Sequence, residues 1–177
     1  MNQLSLDLQP VESEYRLIPL SRGLFAKVDP EDYDWLMEWK WTAYWDVKGK
    51  SFYALRRPRI AGKRPVVFMA RAIMRASVGV EIDHKNHDTL DNRKSINLRV
   101  ATHAENSRNQ RAKSRNKSGF KGVSWSARDK TWQAAIRAGG KKIFLGRFTH
   151  PAEAGSAYVK AAHEFHGDFA CTELLPC

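Results

Sequence analysis

Short apolar runs broken by turn residues dominate the first third of the chain. Between Arg16 and Asp29 the stretch RLIPLSRGLFAKVD has two apolar pieces split by Ser21-Arg22-Gly23, the pattern of a hairpin. Asp29-Pro30 offers an N-cap and a proline at the first helical position, with Glu31 and Asp32 where the helix dipole favours carboxylates. The helix that follows sets Trp35, Leu36 and Trp39 on one stripe, expected to pack in a core. TAYWDV and SFYALR flank Lys48-Gly49-Lys50 as a strand pair, and residues 68–76 read as helix. From Gly119 the runs FKGVSWS, TWQAAIRA and KIFLGRF alternate with turn residues, predicting a three-stranded antiparallel sheet. A last helix opens at Pro151. It carries Ala154, Ala157, Tyr158, Ala161, Ala162 and Phe165 at helical spacing and stops at Gly167.

The chain of 177 residues has room for one domain or two small ones, and 42% hydrophobic content is enough to build a core. Its net charge of +11 points to a polyanionic partner, nucleic acid first. The excess is uneven. Residues 1–60 carry 9 basic and 9 acidic side chains, residues 61–117 carry 13 and 5, and residues 118–177 carry 8 and 5. Cys171 and Cys177 are too few and too close for a disulfide framework or zinc finger, so a reducing cytoplasm, of a phage host or bacterium, is the expected setting. No run of apolar residues is long enough to span a membrane, and no signal peptide opens the chain. Residues 1–15 read as a flexible start, residues 107–118 as a basic linker and residues 171–177 as a tail.

Chemistry gathers in residues 80–110, VEIDHKNHDTLDNRKSINLRVATHAENSRNQ. Val80 to Asp83 reads as a strand, Lys85 to Ser95 as a polar loop and Asn97 to Ala101 as a second strand. Thr102 with Glu105 three residues on is a capping box that opens a helix. Asp83 and His84 end the first strand, and Asn106 stands at the fourth helical position, where it can face back onto that strand. A hard divalent cation prefers oxygen ligands such as the Asp83 carboxylate and the Asn106 carbonyl, while a neutral His84 suits proton abstraction from water. Together these groups match the needs of phosphodiester hydrolysis.

The segment resembles the HNH nuclease motif of phage-type homing endonucleases, carried here by Asp83-His84, Asp91-Asn92-Arg93, Asn97-Leu98-Arg99 and Asn106. The resemblance implies His84 as general base, Asp83 and Asn106 as ligands of Mg2+ or Mn2+, and Asn97 as the central residue that braces the loop and orients the catalytic imidazole. His87 stands where glycine is common, and Ile96 is one residue more than the usual spacing. His87 and His103 are substitute ligands or simply solvated. Arg93 and Arg99 within the motif, with Arg108, Arg111, Lys113, Arg115 and Lys117 of the linker, are candidates for DNA contact.

Phe120-Lys121-Gly122-Val123, the Trp132 to Arg137 strand, Leu145-Gly146-Arg147-Phe148 and the alanine-rich helix resemble the Apetala/ethylene-response-factor DNA-binding domain. Carried over by position, Lys121, Trp125, Arg128, Trp132, Arg137 and Lys142 are contact candidates, with Trp132 alternatively a core residue. The expected fold is α+β: a ββα-metal nuclease domain over residues 16–106, then a three-stranded sheet with one helix over residues 119–170. The expected function is site-specific, metal-dependent cleavage of double-stranded DNA to 5′-phosphate and 3′-hydroxyl ends by a monomer or weak dimer without a small-molecule cofactor. The alternative is a non-catalytic DNA-binding regulator on a degenerate nuclease fold.

Overall fold

The computed structural model describes residues 14–110, 112 and 116–171, and the chain falls into two compact units. One takes the chain to Ser77 together with Asp88–Arg99, the other takes Val78–His87 together with everything from Val100. The expected boundary at residues 106 and 107 does not coincide with this division, because the segment around Asp83 and the helix after Thr102 group with the C-terminal sheet. No helix among the described residues is long and apolar enough to cross a membrane.

In the first unit, β1 (Arg16–Pro19) and β2 (Phe25–Val28) form the expected hairpin, with Ile18, Ala26 and Val28 buried. Helix α1 (Pro30–Met37) starts at its proline, but Asp29 does not cap it. The carboxylate is used elsewhere, as described below. Of the tryptophan stripe only Leu36 is fully buried. The helix ends before Trp39, which is exposed and lies under the Arg56 guanidinium, 4.0 Å from its ring centre. The expectation of a core role fails there because the stripe outlasts the helix. Strands β3 (Thr42–Asp46), β4 (Ser51–Arg56) and β5 (Val67–Phe68) form an antiparallel sheet, followed by α2 (Met69–Ile73).

The second unit contains β6 (Glu81–His84) and α3 (His103–Asn109); β7 (Leu98–Ala101), which pairs with β6, belongs to this unit from Val100 on. The capping box of Thr102 and Glu105 is complete in both directions. Beyond it lie β8 (Val123–Ser126), β9 (Thr131–Ala138) and β10 (Lys141–Phe148), paired in the order β10-β9-β8, and α4 (Pro151–His166). Val123, Ala134 and Ile136 on the sheet meet Ala154, Tyr158, Ala161 and Ala162 on α4 in two adjoining buried clusters. Burial pushes the Tyr158 hydroxyl up to about 12. His166 fastens the end of α4 to β9 through the Arg137 carbonyl, 2.8 Å from Nε2.

Small residues let the helix approach the sheet. A side chain at Gly155 would meet the Phe120 ring at 2.4 Å, and one at Gly122, whose φ is +72°, would meet the Tyr158 ring at 2.2 Å. Gly122→Ala is therefore expected to combine overpacking with a strained backbone and cost at least about 1–3 kcal/mol. Chemical denaturation of the full chain measures it; an unchanged midpoint would contradict this packing.

Candidate active site

Strand β6 ends in two buried polar residues, Asp83 at 5% and His84 at 7% exposure. The side chain that reaches them comes from the last turn of α3. Asn109, 3% exposed, donates its amide to both Asp83 oxygens at 3.0 and 3.1 Å and to the His84 carbonyl at 3.0 Å. Asn106 lies one turn earlier and donates to Glu81 Oε2 at 2.7 Å. His103 Nδ1 contacts the other Glu81 oxygen at 2.9 Å. The Asn106 amide, followed by His103, holds the Glu81 carboxyl below its ordinary range. Residues 103, 106 and 109 share one helix face and residues 81 and 83 one strand face, so helix and strand match in steps running the same way. Asn109 was legible as a second asparagine on the Asn106 face, but sequence spacing alone favoured the earlier one.

His87 closes this cluster. Its φ is +61°, the left-handed conformation that favours glycine, which explains why glycine is common at this place. Its backbone N–H donates to the His84 carbonyl at 3.1 Å, and its ring nitrogen Nε2, facing the Asn109 carbonyl, acts as donor. Lys121 secures the far side of α3: its ammonium donates to the carbonyls of Ser107, Arg108 and Gln110, at 2.6 Å for Arg108. The last carbonyls of a helix lack intrahelical partners and carry the negative end of its dipole, so a cation there satisfies both needs. Burial lowers the Lys121 pKa.

In the first unit, the loop Asp88–Arg99 is ordered by buried polar groups. Asp91, Asn92 and Asn97 are each 1% exposed. Asn97 donates its amide to the carbonyls of Asp91 at 2.6 Å and Asp88 at 3.4 Å. Arg93 grips Asp91 through Nε at 2.8 Å and Nη2 at 2.7 Å, which raises the guanidinium pKa further. Lys27 on β2 pairs with this loop through the Leu90 carbonyl and the Asn92 N–H. The Asp29 carboxylate, free of its helix, accepts from Ser95 N at 2.9 Å and from the Ser95 hydroxyl. The additional Ile96 is accommodated on the surface. It is 43% exposed, in a wide turn where the Arg93 carbonyl accepts from both Asn97 N and Leu98 N.

The contact candidates scatter. Arg111, Lys113 and Arg115 lie outside the described residues. Arg93 is engaged with Asp91, Lys121 with α3, and Arg99 and Arg108 are half-buried, while Lys117 is exposed. Pairing puts Trp125 opposite Trp132, on the face with Val123 and Ala134. Trp132 packs on the cluster beneath α4, the core alternative, and Trp125 stays 52% exposed at the strand edge. Arg137 and Lys142 are paired on the opposite face and both exposed, with Phe144 and Arg147 on that same side. Arg128 sits in the β8–β9 turn beside Asp129 at 3.3 Å. The hydroxyl of Ser126, then Arg128, holds the Asp129 carboxyl below its usual range.

Among the described residues no three His, Cys, Asp or Glu side chains gather as a metal cage. The donors beside one another are the Asp83 carboxylate and the Asn109 amide, whose oxygens suit a hard cation that retains water and substrate oxygens, while Asn106 is engaged with Glu81. The Asn109 amide presents its nitrogen to Asp83 here, and a half-turn of that amide would present its oxygen.

Residues 77–108 match the family model described as HNH endonuclease. Over 96 residues the chain is 35% identical to "Protein 3.8" of Escherichia phage T7, a span of 52% of this chain and 74% of that protein. No solved structure matches it.

The Lys121 clasp has a measurable worth. Lys121→Met should leave the partly buried Arg108 carbonyl unpaired and destabilise the chain by about 1–3 kcal/mol, whereas Lys142→Met on the exposed face should change it by less than about 0.5 kcal/mol. Equal denaturation midpoints for the two variants would remove the clasp.

Proposed function

Since the chain belongs to the same family as Protein 3.8 of Escherichia phage T7 and carries an HNH endonuclease segment, we propose that it is a site-specific, homing-type DNA endonuclease acting with Mg2+ or Mn2+. The observation that carries this reading is the buried Asp83-His84 pair held by Asn109 inside the matching segment.

Asp83 is the charged ligand of the ion, with Asn109 the nearer and Asn106 the farther amide donor on α3. The bound ion would polarise the phosphate and stabilise the leaving oxygen. His84, in its neutral form, takes the proton from the attacking water. The new bond joins water oxygen to phosphorus and the bond to the 3′ oxygen breaks, leaving a 5′-phosphate and, after proton uptake, a 3′-hydroxyl. His87 and Lys121 act at one remove, by fixing the helix that carries Asn109. Asn97 keeps the loop before β7 in shape through its carbonyl contacts.

Addressing belongs to other surfaces. The nuclease role falls to residues 16–106 extended to Asn109 at the end of α3, the rest of the connection to residue 118 adds charge, and residues 119–170 serve as a DNA-reading module similar to the Apetala/ethylene-response-factor domain. On that module Arg137 and Lys142, joined by Arg147, form the outward basic face. Duplex DNA in the cytoplasm of a phage-infected cell is the substrate, taken by a monomer or weak dimer.

Incubation of the full chain with supercoiled plasmid, with Mg2+ or with EDTA, tests the reading. His84→Ala should slow cutting by about 10²–10⁴ with DNA affinity preserved. Asp83→Ala should abolish metal-dependent cutting, and Asn109→Ala should lose more activity than Asn106→Ala. The reverse order of the two asparagines would move the ligand role to Asn106. Cutting that survives EDTA would refute the metal, and a chain that binds DNA without ever cutting would be a regulator.

A further inference from the structure

Between Asp46 and Glu81 the sequence has nine Lys and Arg and no Asp or Glu. Four of these cations, Arg57, Arg59, Lys63 and Arg64, stand on the segment joining β4 to β5. These strands pair directly, Arg56 opposite Val67. A hairpin connection needs about 2–5 residues, yet residues 57–66 make it ten long. The excess is not slack chain. Ile60 and Lys63 exchange both backbone hydrogen bonds, each 2.9 Å, around Ala61 and Gly62, whose φ values are +47° and +77°. Two positive φ angles in a two-residue loop are the tight turn that matches strand twist, and Ala61 holds this conformation without the glycine or asparagine that normally eases it. Pro58 and Pro65 flank the hairpin and restrict its base.

All of residues 57–66 except Pro58 are exposed. Among the described residues none of the four cations forms an ion pair, whereas Arg93, Arg128 and Arg147 each have a carboxylate. A solvated run of charge is the ordinary fate of such a sequence. Here the charges repel one another on a connection pinned by the Ile60–Lys63 bridge, and apolar Ile60, at 58% exposure, stands beside its turn. Three of the four are arginines, whose planar fork suits phosphate oxygens, and an apolar side chain among cations is the arrangement used to wedge against base steps.

We propose that residues 57–66 are a groove-entering hairpin for duplex DNA, with Arg57, Arg59, Lys63 and Arg64 on backbone phosphates and Ile60 against the bases. This rests on the reading of the chain as acting on DNA and adds a contact surface in the first unit, apart from the C-terminal sheet and the 107–118 connection.

The test is a salt titration of binding by the full chain in EDTA, on a duplex and on a single strand of the same length. The double variant Arg59→Ser, Lys63→Ser should lower the slope of log affinity against log salt by up to about 1.8 on the duplex, at 0.9 per phosphate contact. Ile60→Ser should weaken duplex binding several-fold with the slope unchanged. Melting curves matching wild type show that the exposed substitutions leave the fold intact. An unchanged duplex slope in the double variant, an Ile60→Ser loss as large on the single strand, or no duplex binding by the wild type would overturn the hairpin. Because cutting is suppressed, a chain that binds through the hairpin but never cuts with Mg2+ removes only the nuclease reading. One that cuts while the variants bind like wild type removes only the hairpin.

Discussion

The hydrogen bonds from one amide, Asn109, to the Asp83 carboxylate and the His84 carbonyl set the geometry on which the proposed chemistry depends. A carboxylate buried at the end of a short strand needs donors or a cation, and the amide supplies donors without neutralising the charge. What keeps Asn109 there is distributed. The Thr102 and Glu105 capping box fixes where α3 begins, Lys121 holds where it ends, and His87 ties the Asn109 carbonyl back to the turn after β6. A helix of two turns has little intrinsic stability, so these terminal contacts rather than its length hold it in place.

Lys121 changes the meaning of the C-terminal module. Its residue neighbours Phe120 and Gly122 pack against α4, so the same short segment that seats the helix on the sheet also anchors the end of α3. Loss of residues after 118 would therefore disturb α3 as well as any DNA reading, and the module cannot be a removable address label. The compact unit that joins β6, α3 and the C-terminal sheet is the structural expression of that dependence.

Local signals were legible where one interaction decides the outcome. The proline at the start of α1, the capping box of α3, the turn residues between β8, β9 and β10 and the glycine after α4 each act within a few residues, and each element begins or ends as the sequence indicates. The sequence also singles out Asp83, His84 and Asn97 as motif residues, and all three are buried. Long-range partners were not legible. Asp29 has the sequence of an N-cap, but its carboxylate goes to Ser95, 66 residues away. Lys121 and Arg93 read as open cations, yet each finds partners that only the fold brings near. The sequence left Trp132 open between a DNA-contact and a core role, because the choice depends on which sheet face α4 covers; that needed the helix itself.

A Mn2+ titration of the full chain followed by electron paramagnetic resonance reads whether Asp83 and Asn109 hold the ion. Binding is expected in the wild type, its loss in Asp83→Asn, and weakening of about tenfold or more in Asn109→Ala, at least the change that outer ligands produce. Binding that is identical in all three proteins would contradict this, because the ion would then be held without the Asp83 and Asn109 pair.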